Sequence, residues 1–159
     1  MKQIDVNISY CKVEESELSD AERTLLSAAR GATYRSYSPY SHFSVGAAVM
    51  LADGTVLEGS NQENSSYPLG LCAERTVLFY AGSRYPDTAI DTLCVAARGT
   101  DTAFTANPIA PCGACRQVLL ESENRQQKPI RIILYGSDGI YVIKSARDLL
   151  PVSFDSSFL

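Results

Sequence analysis

Apolar and polar residues alternate along this chain with the two periods that distinguish helices from strands. Behind a capping serine, Ser16 or Ser19, apolar residues recur at three- and four-residue spacing as far as Tyr34. This pattern predicts a first amphipathic helix. Two apolar segments then flank the turn pair Asp53-Gly54, which is typical of a β-hairpin.

Further along the chain, two more helices alternate with apolar segments that predict buried strands. Gly70 and Gly82 bound the second helix, which should begin almost at Cys72, and the third should run from Cys112 to about Ser122. The predicted strands are residues 43–51, 55–60, 92–97, 130–135 and 140–143, and residues 149–151 are predicted to close a short last helix. This order predicts an α/β fold, a three-layer α/β/α sandwich with a mixed five-stranded sheet.

Size and charge narrow the possible functions. A chain of 159 residues with 45% apolar residues is long enough for one core, so we expect a single domain over residues 1–159.

The net charge of -4, with no cluster of Lys and Arg, makes nucleic acid a poor partner. The longest apolar run is interrupted by Arg131, and residues 1–5 lack an apolar signal core, so we expect a cytoplasmic protein with no membrane segment.

Cysteine is the residue type that predicts chemistry. Because a chain with no export signal seldom forms a disulfide framework, its five cysteines are better interpreted as metal ligands or buried thiols. Cys112 and Cys115 are one helical turn apart at a helix start, and Cys72 should start the preceding helix, where free N–H groups favour thiolates. His42 is the only histidine, which excludes sites built on several imidazoles. Three thiolates with an open fourth position are typical of catalytic zinc.

Glu74 supplies the second part of the predicted site. It follows Cys72 by two residues, so in the first turn of a helix it can face the open coordination position. Zinc lowers the pKa of a bound water towards about 7, and a neighbouring carboxylate can then accept its proton and pass it on. This pair favours hydrolytic displacement at an electrophilic carbon.

Four ordered motifs and a C-terminal segment resemble the homotetrameric cytidine deaminases. The matching segments are residues 37–48, 61–64, 67–75, 111–117 and 149–154. A glutamate that is not a ligand and a Pro-Cys-x-x-Cys element are features of zinc-dependent deaminases in general. The resemblance spans about residues 18–154, so the whole chain is identified as a single cytidine deaminase domain.

The resemblance implies hydrolytic deamination of cytidine and deoxycytidine to uridine and deoxyuridine, with release of ammonia, in pyrimidine salvage. One Zn²⁺ per chain would be held by Cys72, Cys112 and Cys115. Glu74 would take a proton from the zinc-bound water and deliver it to ring N3, hydroxide would attack C4, and Glu74 would protonate the departing ammonia.

Substrate contacts are also implied by the resemblance. Phe43 would pack on the pyrimidine ring, Asn61 and Glu63 would hydrogen-bond the ribose hydroxyl, and Ala73 would contribute backbone contacts. The aromatic residues that would complete pockets across the subunit boundaries of a homotetramer with shared active sites are Tyr40, Tyr67 and Phe154.

Three thiolates leave the zinc site with a net charge near −1, so other groups should draw charge from the sulfur atoms. Arg75 is the best-placed donor to a thiolate, and Gln117 or Arg116 would contribute. Two positions depart from the family pattern, Gln62 in place of an apolar residue and Ala110 in place of a serine.

Other functions stay open at this point. One is deamination of another aminopyrimidine nucleoside such as blasticidin S, although the Cys-Ala-Glu-Arg string favours cytidine. Polynucleotide and nucleotide deaminases usually carry a histidine where Cys72 stands. A catalytically silent zinc-binding module is a third possibility, in which Cys11 or Cys94 would have to supply the fourth ligand.

Overall fold

The computed structural model describes residues 1–159 and places three helices against a six-stranded sheet. The strands are β1 Cys11–Val13, β2 Phe43–Leu51, β3 Val56–Ser60, β4 Ile90–Gly99, β5 Arg131–Gly136 and β6 Gly139–Ile143. The helices are α1 Asp20–Ala32, α2 Ala73–Arg84 and α3 Gly113–Gln126. None of them combines the length and the apolar character that crossing a membrane requires.

The strand order in the sheet is β1-β6-β5-β4-β2-β3. Strands β4 and β5 pair in parallel, with Cys94 opposite Ile133, and the other neighbours are antiparallel. The crossover between the two parallel strands is α3, and helices cover both faces of the sheet. The prediction of a three-layer α/β/α sandwich with a mixed sheet is confirmed.

The predicted number of strands was too low by one. Strand β1 pairs antiparallel with the edge of β6, with Cys11 opposite Val142 and Val13 opposite Ile140. The three residues of β1 are largely exposed and show no alternation of apolar and polar positions that would predict a strand. Next to β1, the ring of Tyr10 packs on the ring of Tyr141, with 4.9 Å between the ring centroids.

Helix α1 covers one face of the sheet. Its start is fixed by a capping box in which Ser19 Oγ accepts from the backbone N–H of Glu22 and Glu22 Oε2 accepts from Ser19 N. A Cβ on Gly46 of β2 would lie 2.2 Å from the carbonyl oxygen of Ala29, so a glycine is needed for this close approach. The buried residues of this layer include Leu25, Leu26, Ala29, Ala48, Cys94 and Ile133.

Helices α2 and α3 cover the opposite face. Their buried side chains include Val77, Leu78, Ala81 and Leu119, packed on Val49, Leu93, Ile132 and Leu134 of the sheet. Helix α2 continues through Gly82, which was predicted to end it, to Arg84. The predicted short helix near the C-terminus is a 3-10 turn at Ala146–Leu149. The N-termini of α2 and α3 meet at one end of this layer, where the predicted zinc ligands lie.

Candidate active site

The three thiols predicted as zinc ligands lie together where α2 and α3 begin. Cys72 is the N-cap of α2, Cys112 is the N-cap of α3, and Cys115 lies within the first turn of α3. All three Sγ atoms lie within 4.8 Å of one another, with 3.8 Å from Cys72 to Cys112 and 3.4 Å from Cys112 to Cys115. Thiolates bound to one tetrahedral Zn²⁺ at about 2.3 Å would be about 3.8 Å apart. These free thiols therefore fit one zinc ion per chain, as predicted.

Backbone contacts from β3 fix the loop that carries Cys72. Gln62 and Leu71 exchange two backbone hydrogen bonds of 2.9 Å, which tie the segment before Cys72 to the end of β3. The Gln62 side chain turns away from the thiols and donates to Ser60 Oγ at 3.1 Å. A Cβ on Gly59 of β3 would lie 2.8 Å from Val77 N, so the start of α2 rests directly on this strand.

The thiols share their charge unequally. A hydrogen bond from Cys115 lowers the pKa of Cys72 to about 5, and Arg75 acts in the same direction. The pKa of Cys115 is raised because it holds the proton of this shared hydrogen bond, and burial adds to the effect. The pKa values of Cys72 and Cys115 shift in opposite directions because the two thiols share one proton. Cys72, at the N-terminus of α2, is therefore readily deprotonated to the thiolate that a metal ion requires.

Glu74 lies beside the thiols in the first turn of α2. It is only 4% exposed and lines the cavity that opens next to Cys72 and Cys112. Burial raises the pKa of Glu74, since a carboxylate is less well solvated in the interior. A carboxyl group whose pKa is brought closer to neutrality suits repeated proton transfer.

Arg75 is the basic side chain next to the sulfur atoms. Its Nη2 lies 3.9 Å from Cys72 Sγ and 3.5 Å from the carbonyl oxygen of Gly70, while its buried Nε has no hydrogen-bond partner. Arg116 and Gln117, the other predicted donors, direct their side chains elsewhere. Arg116 donates to the carbonyl oxygen of Pro111, and Gln117 donates to that of Phe154.

A cavity of about 470 Å³ brings most of the predicted site residues together. Its lining includes Phe43, Asn61, Glu63, Tyr67, Cys72, Glu74, Arg75 and Cys112. Ile109 and Ala110 line it as well, although neither was predicted to contact the substrate. Their position directly before the Pro-Cys element was the available signal.

The side chain of Asn61 is largely occupied by protein groups. Its Oδ1 accepts from Val45 N at 2.8 Å and from Ser36 Oγ at 2.6 Å, and its Nδ2 donates to the carbonyl oxygen of Phe43 at 2.9 Å. Asn61 thus holds the start of β2 beside the end of β3, and one N–H of its amide is left for a ligand.

Glu63 organises the turn at residues 38–42. Its Oε2 accepts from Tyr40 N at 2.9 Å and from Ser41 N at 3.3 Å, and the Ser41 hydroxyl donates to Oε1. The Ser41 hydrogen bond lowers the pKa of Glu63 and so keeps this carboxylate ionised at the mouth of the cavity.

Tyr40, Tyr67, Phe154 and Ala73 differ in how they relate to the cavity. The Tyr40 and Tyr67 rings, 5.7 Å apart, line an adjoining hollow of about 340 Å³. Phe154 is 58% exposed and stacks on Phe158 outside the cavity lining. Ala73 is fully buried in the core, so a contact to substrate would have to come from its backbone.

Residues 19–128 match the family model for the cytidine and deoxycytidylate deaminase zinc-binding region. The chain belongs to this family. A cytidine deaminase from Halalkalibacterium halodurans is 49% identical over 85 residues, which span 54% of this chain and 59% of that protein. A cytidine deaminase from Mycobacterium tuberculosis is 43% identical over 121 residues, 74% of this chain and 77% of that protein.

A solved structure of a deaminase of this family extends the likeness to the fold. The cytidine deaminase from Burkholderia pseudomallei superposes with a TM-score of 0.70 at 41% identity, covering 82% of this chain and 97% of that chain. The resemblance inferred from the motifs is thereby confirmed, and with it the predicted zinc-dependent hydrolase class.

Proposed function

We propose that this chain catalyses the hydrolytic deamination of cytidine and deoxycytidine to uridine and deoxyuridine, with release of ammonia. The observation that carries the proposal is a buried carboxyl, Glu74, in the lining of a cavity that also exposes Cys72 and Cys112 of the three-thiol cluster. Two curated relatives and a solved structure that are named cytidine deaminases support cytidine over other aminopyrimidine nucleosides.

Proton transfer is the task of Glu74 in this reaction. Cys72, Cys112 and Cys115 would hold the zinc ion, which would make a bound water acidic enough to react at neutral pH. Glu74 accepts the proton that leaves the attacking water and passes it to ring N3; it then accepts the second proton from the hydroxyl formed on C4 and delivers it to the departing amino group, which leaves as ammonia. Because burial raises its pKa, the Glu74 carboxyl can keep a proton between these transfers.

The remaining cavity residues bind and orient the nucleoside. Phe43 offers an apolar surface for the pyrimidine ring, and the free N–H of Asn61 and the Glu63 carboxylate are available to ribose hydroxyls. An ionised Glu63 at the cavity mouth repels a phosphate, which favours nucleosides over nucleotides as substrates. Arg75 draws charge from Cys72, as a basic partner near three thiolates should.

We also propose a cytoplasmic homotetramer with shared active sites. Eight aromatic residues that are more than half exposed offer apolar surface for such an interface: Tyr10, Tyr34, Tyr37, Tyr67, Phe79, Tyr80, Phe154 and Phe158. Five free cysteines suit a reducing compartment. Sedimentation velocity should give the mass of four chains, and a monomer that retains full turnover would contradict the shared sites.

The first experiment follows the ultraviolet change on mixing the purified protein separately with cytidine, deoxycytidine, deoxycytidylate and blasticidin S, with zinc measured on the same sample. We expect turnover of the two nucleosides with one zinc per chain. Turnover of blasticidin S alone, or none of the four with zinc present, would refute the proposed activity.

A further inference from the structure

Helix α3 holds the C-terminal segment, residues 145–154, through side-chain contacts to its backbone. Near the far end of the helix the Glu123 carboxylate accepts from Ala146 N at 2.8 Å. Near its start, Gln117 Nε2 donates to the carbonyl oxygen of Phe154 at 2.9 Å. The helix that carries two of the three thiols therefore also determines the course of the C-terminal segment.

Arg116 connects this segment to the zinc site. Its Nη1 donates to the carbonyl oxygen of Leu149 at 3.0 Å, and its Nε donates at 2.8 Å to that of Pro111, the residue before Cys112. Both bonds come from one planar guanidinium group, so a shift of either carbonyl oxygen disturbs the other bond.

The surroundings of Arg116 argue for a specific role. Both carbonyl oxygens that Arg116 binds belong to the backbone, one directly before a zinc ligand and the other in the C-terminal segment. An apolar hollow of about 410 Å³ beside Arg116 is lined by Leu149, Pro151 and Ala110 among others. Ala110 also lines the substrate cavity, so a single residue separates the two spaces.

We propose that Arg116 is a positioning residue that couples the C-terminal segment to the Pro111–Cys112 peptide. Zinc binding then orders the segment, and an ordered segment helps to retain zinc, because coupling between two sites acts equally in both directions. The proposal requires the zinc site. It does not depend on the proposed deaminase activity, because neither the order of the segment nor zinc retention needs turnover.

Hydrogen exchange at the amides of Leu149, Leu150 and residues 152–154, in zinc-loaded and chelator-stripped protein, tests the coupling. In the wild type, removing zinc should speed this exchange about tenfold, the equivalent of one hydrogen bond to a charged group. In Arg116→Gln the exchange should be fast with or without zinc, and zinc transfer to a chelator should be about fivefold faster. Arg147→Lys is the matched control, because exposed Arg147 binds only Asn124 Oδ1 and should behave as wild type.

Exchange in the wild type that ignores zinc, or an Arg116→Gln variant that keeps the zinc response, would overturn the coupling. If Arg116→Gln does not melt cooperatively, Arg116→Lys serves instead. It keeps the charge but lacks the rigid fork, so it should show the same changes at smaller amplitude, and wild-type behaviour would again refute the role. Neither measurement needs turnover, so a failure of the proposed activity would be recognised separately.

Discussion

Glu74 is a carboxyl group that the fold removes from water at the first turn of a helix, where acidic residues usually stay solvated. Its pKa is raised by burial, and the negative charge on Cys72 adds to the shift. Burying a carboxyl group in this way costs folding free energy, but it makes the group useful as a proton carrier. Its chemistry can therefore be tested separately from its effect on folding.

Replacing Glu74 by Gln should abolish proton transfer while leaving the fold and the thiols in place. We expect turnover to fall by at least about a thousandfold, within the usual range for loss of a general acid–base group, with zinc still near one per chain. Steady-state rates and metal content measure the two effects. Glu121→Gln, on the exposed side of α3, is the control and should keep wild-type rates. Substantial turnover in Glu74→Gln would remove Glu74 from the mechanism.

Asn61→Ala should weaken the fold as well as substrate binding. The change leaves Val45 N, the Ser36 hydroxyl and the carbonyl oxygen of Phe43 without their partner. We expect the free energy of unfolding in urea to fall by about 2–4 kcal/mol. Asn64→Ala, which removes one exposed hydrogen bond to Ser66 N, should cost less than about 1 kcal/mol. Equal stability of the two variants would show that Asn61 has no structural role.

The placement of the thiols and of Glu74 was predictable because the members of each motif are close in sequence. The Cys-x-Glu and Cys-x-x-Cys spacings each place their members within one helical turn. The positions of Cys72, Glu74, Cys112 and Cys115 therefore followed from the two predicted helix starts. The hydrogen bonds of Asn61 and Glu63 were not predictable in this way. Their partners lie in residues 36–45, and only the tertiary fold brings the two stretches together.

At the scale of elements, the position of α2 depends on its contact with β3 at Gly59. A methyl group there would lie 2.8 Å from Val77 N and 3.0 Å from the carbonyl oxygen of Ala73. Neither backbone atom can move without shifting the first turn of α2, which bears Glu74 and is capped by Cys72.

Gly59→Ala should therefore destabilise the protein and weaken its hold on zinc. We expect a loss of about 1–3 kcal/mol, as for overpacked cores, and faster zinc transfer to a chelator. Gly31→Ala in α1 is the control, because no atom lies within 4 Å of its added methyl group. That variant should gain about 0.5–1 kcal/mol from helix propensity and keep zinc as wild type does. Urea unfolding compares the two, and a neutral Gly59→Ala would contradict the close packing.

Element boundaries that depend on tertiary contacts were the least predictable. Helix α3 ends at Gln126, four residues beyond the expected end at Ser122, and its C-cap Gln127 is in a left-handed conformation with φ 53°. Helix α2 passes Gly82, where an added Cβ would lie 3.1 Å from Arg125 Nη2, so this glycine allows close packing against α3 rather than ending a helix. The sequence pattern gives the residue at each of these positions but does not show which residues of other elements lie next to it.

At the scale of the whole molecule, zinc joins two helices that are otherwise held by side-chain packing. Stripping zinc with a chelator should lower the thermal midpoint by about 8–15 °C, which corresponds to about 4 kcal/mol of ligand stabilisation. Differential scanning calorimetry of loaded and stripped protein measures this shift. Cys11→Ser should show the same shift as wild type, because exposed Cys11 lies outside the thiol cluster. An unchanged midpoint would mean that the fold does not depend on its metal.

The sheet order also has a kinetic consequence. Strands β2 and β3, like β5 and β6, are joined by short turns, whereas β4 and β5 pair only after the chain has crossed over through α3. Contacts that close short loops form sooner than contacts that close long ones. Gly54→Ala, at a turn residue with φ 85°, should therefore mainly slow folding, and Val95→Ala, in β4 opposite Leu134 of β5, should mainly speed unfolding. The hairpins would be the early nucleus, and the strand pair nearest the centre of the sheet would be the last to form.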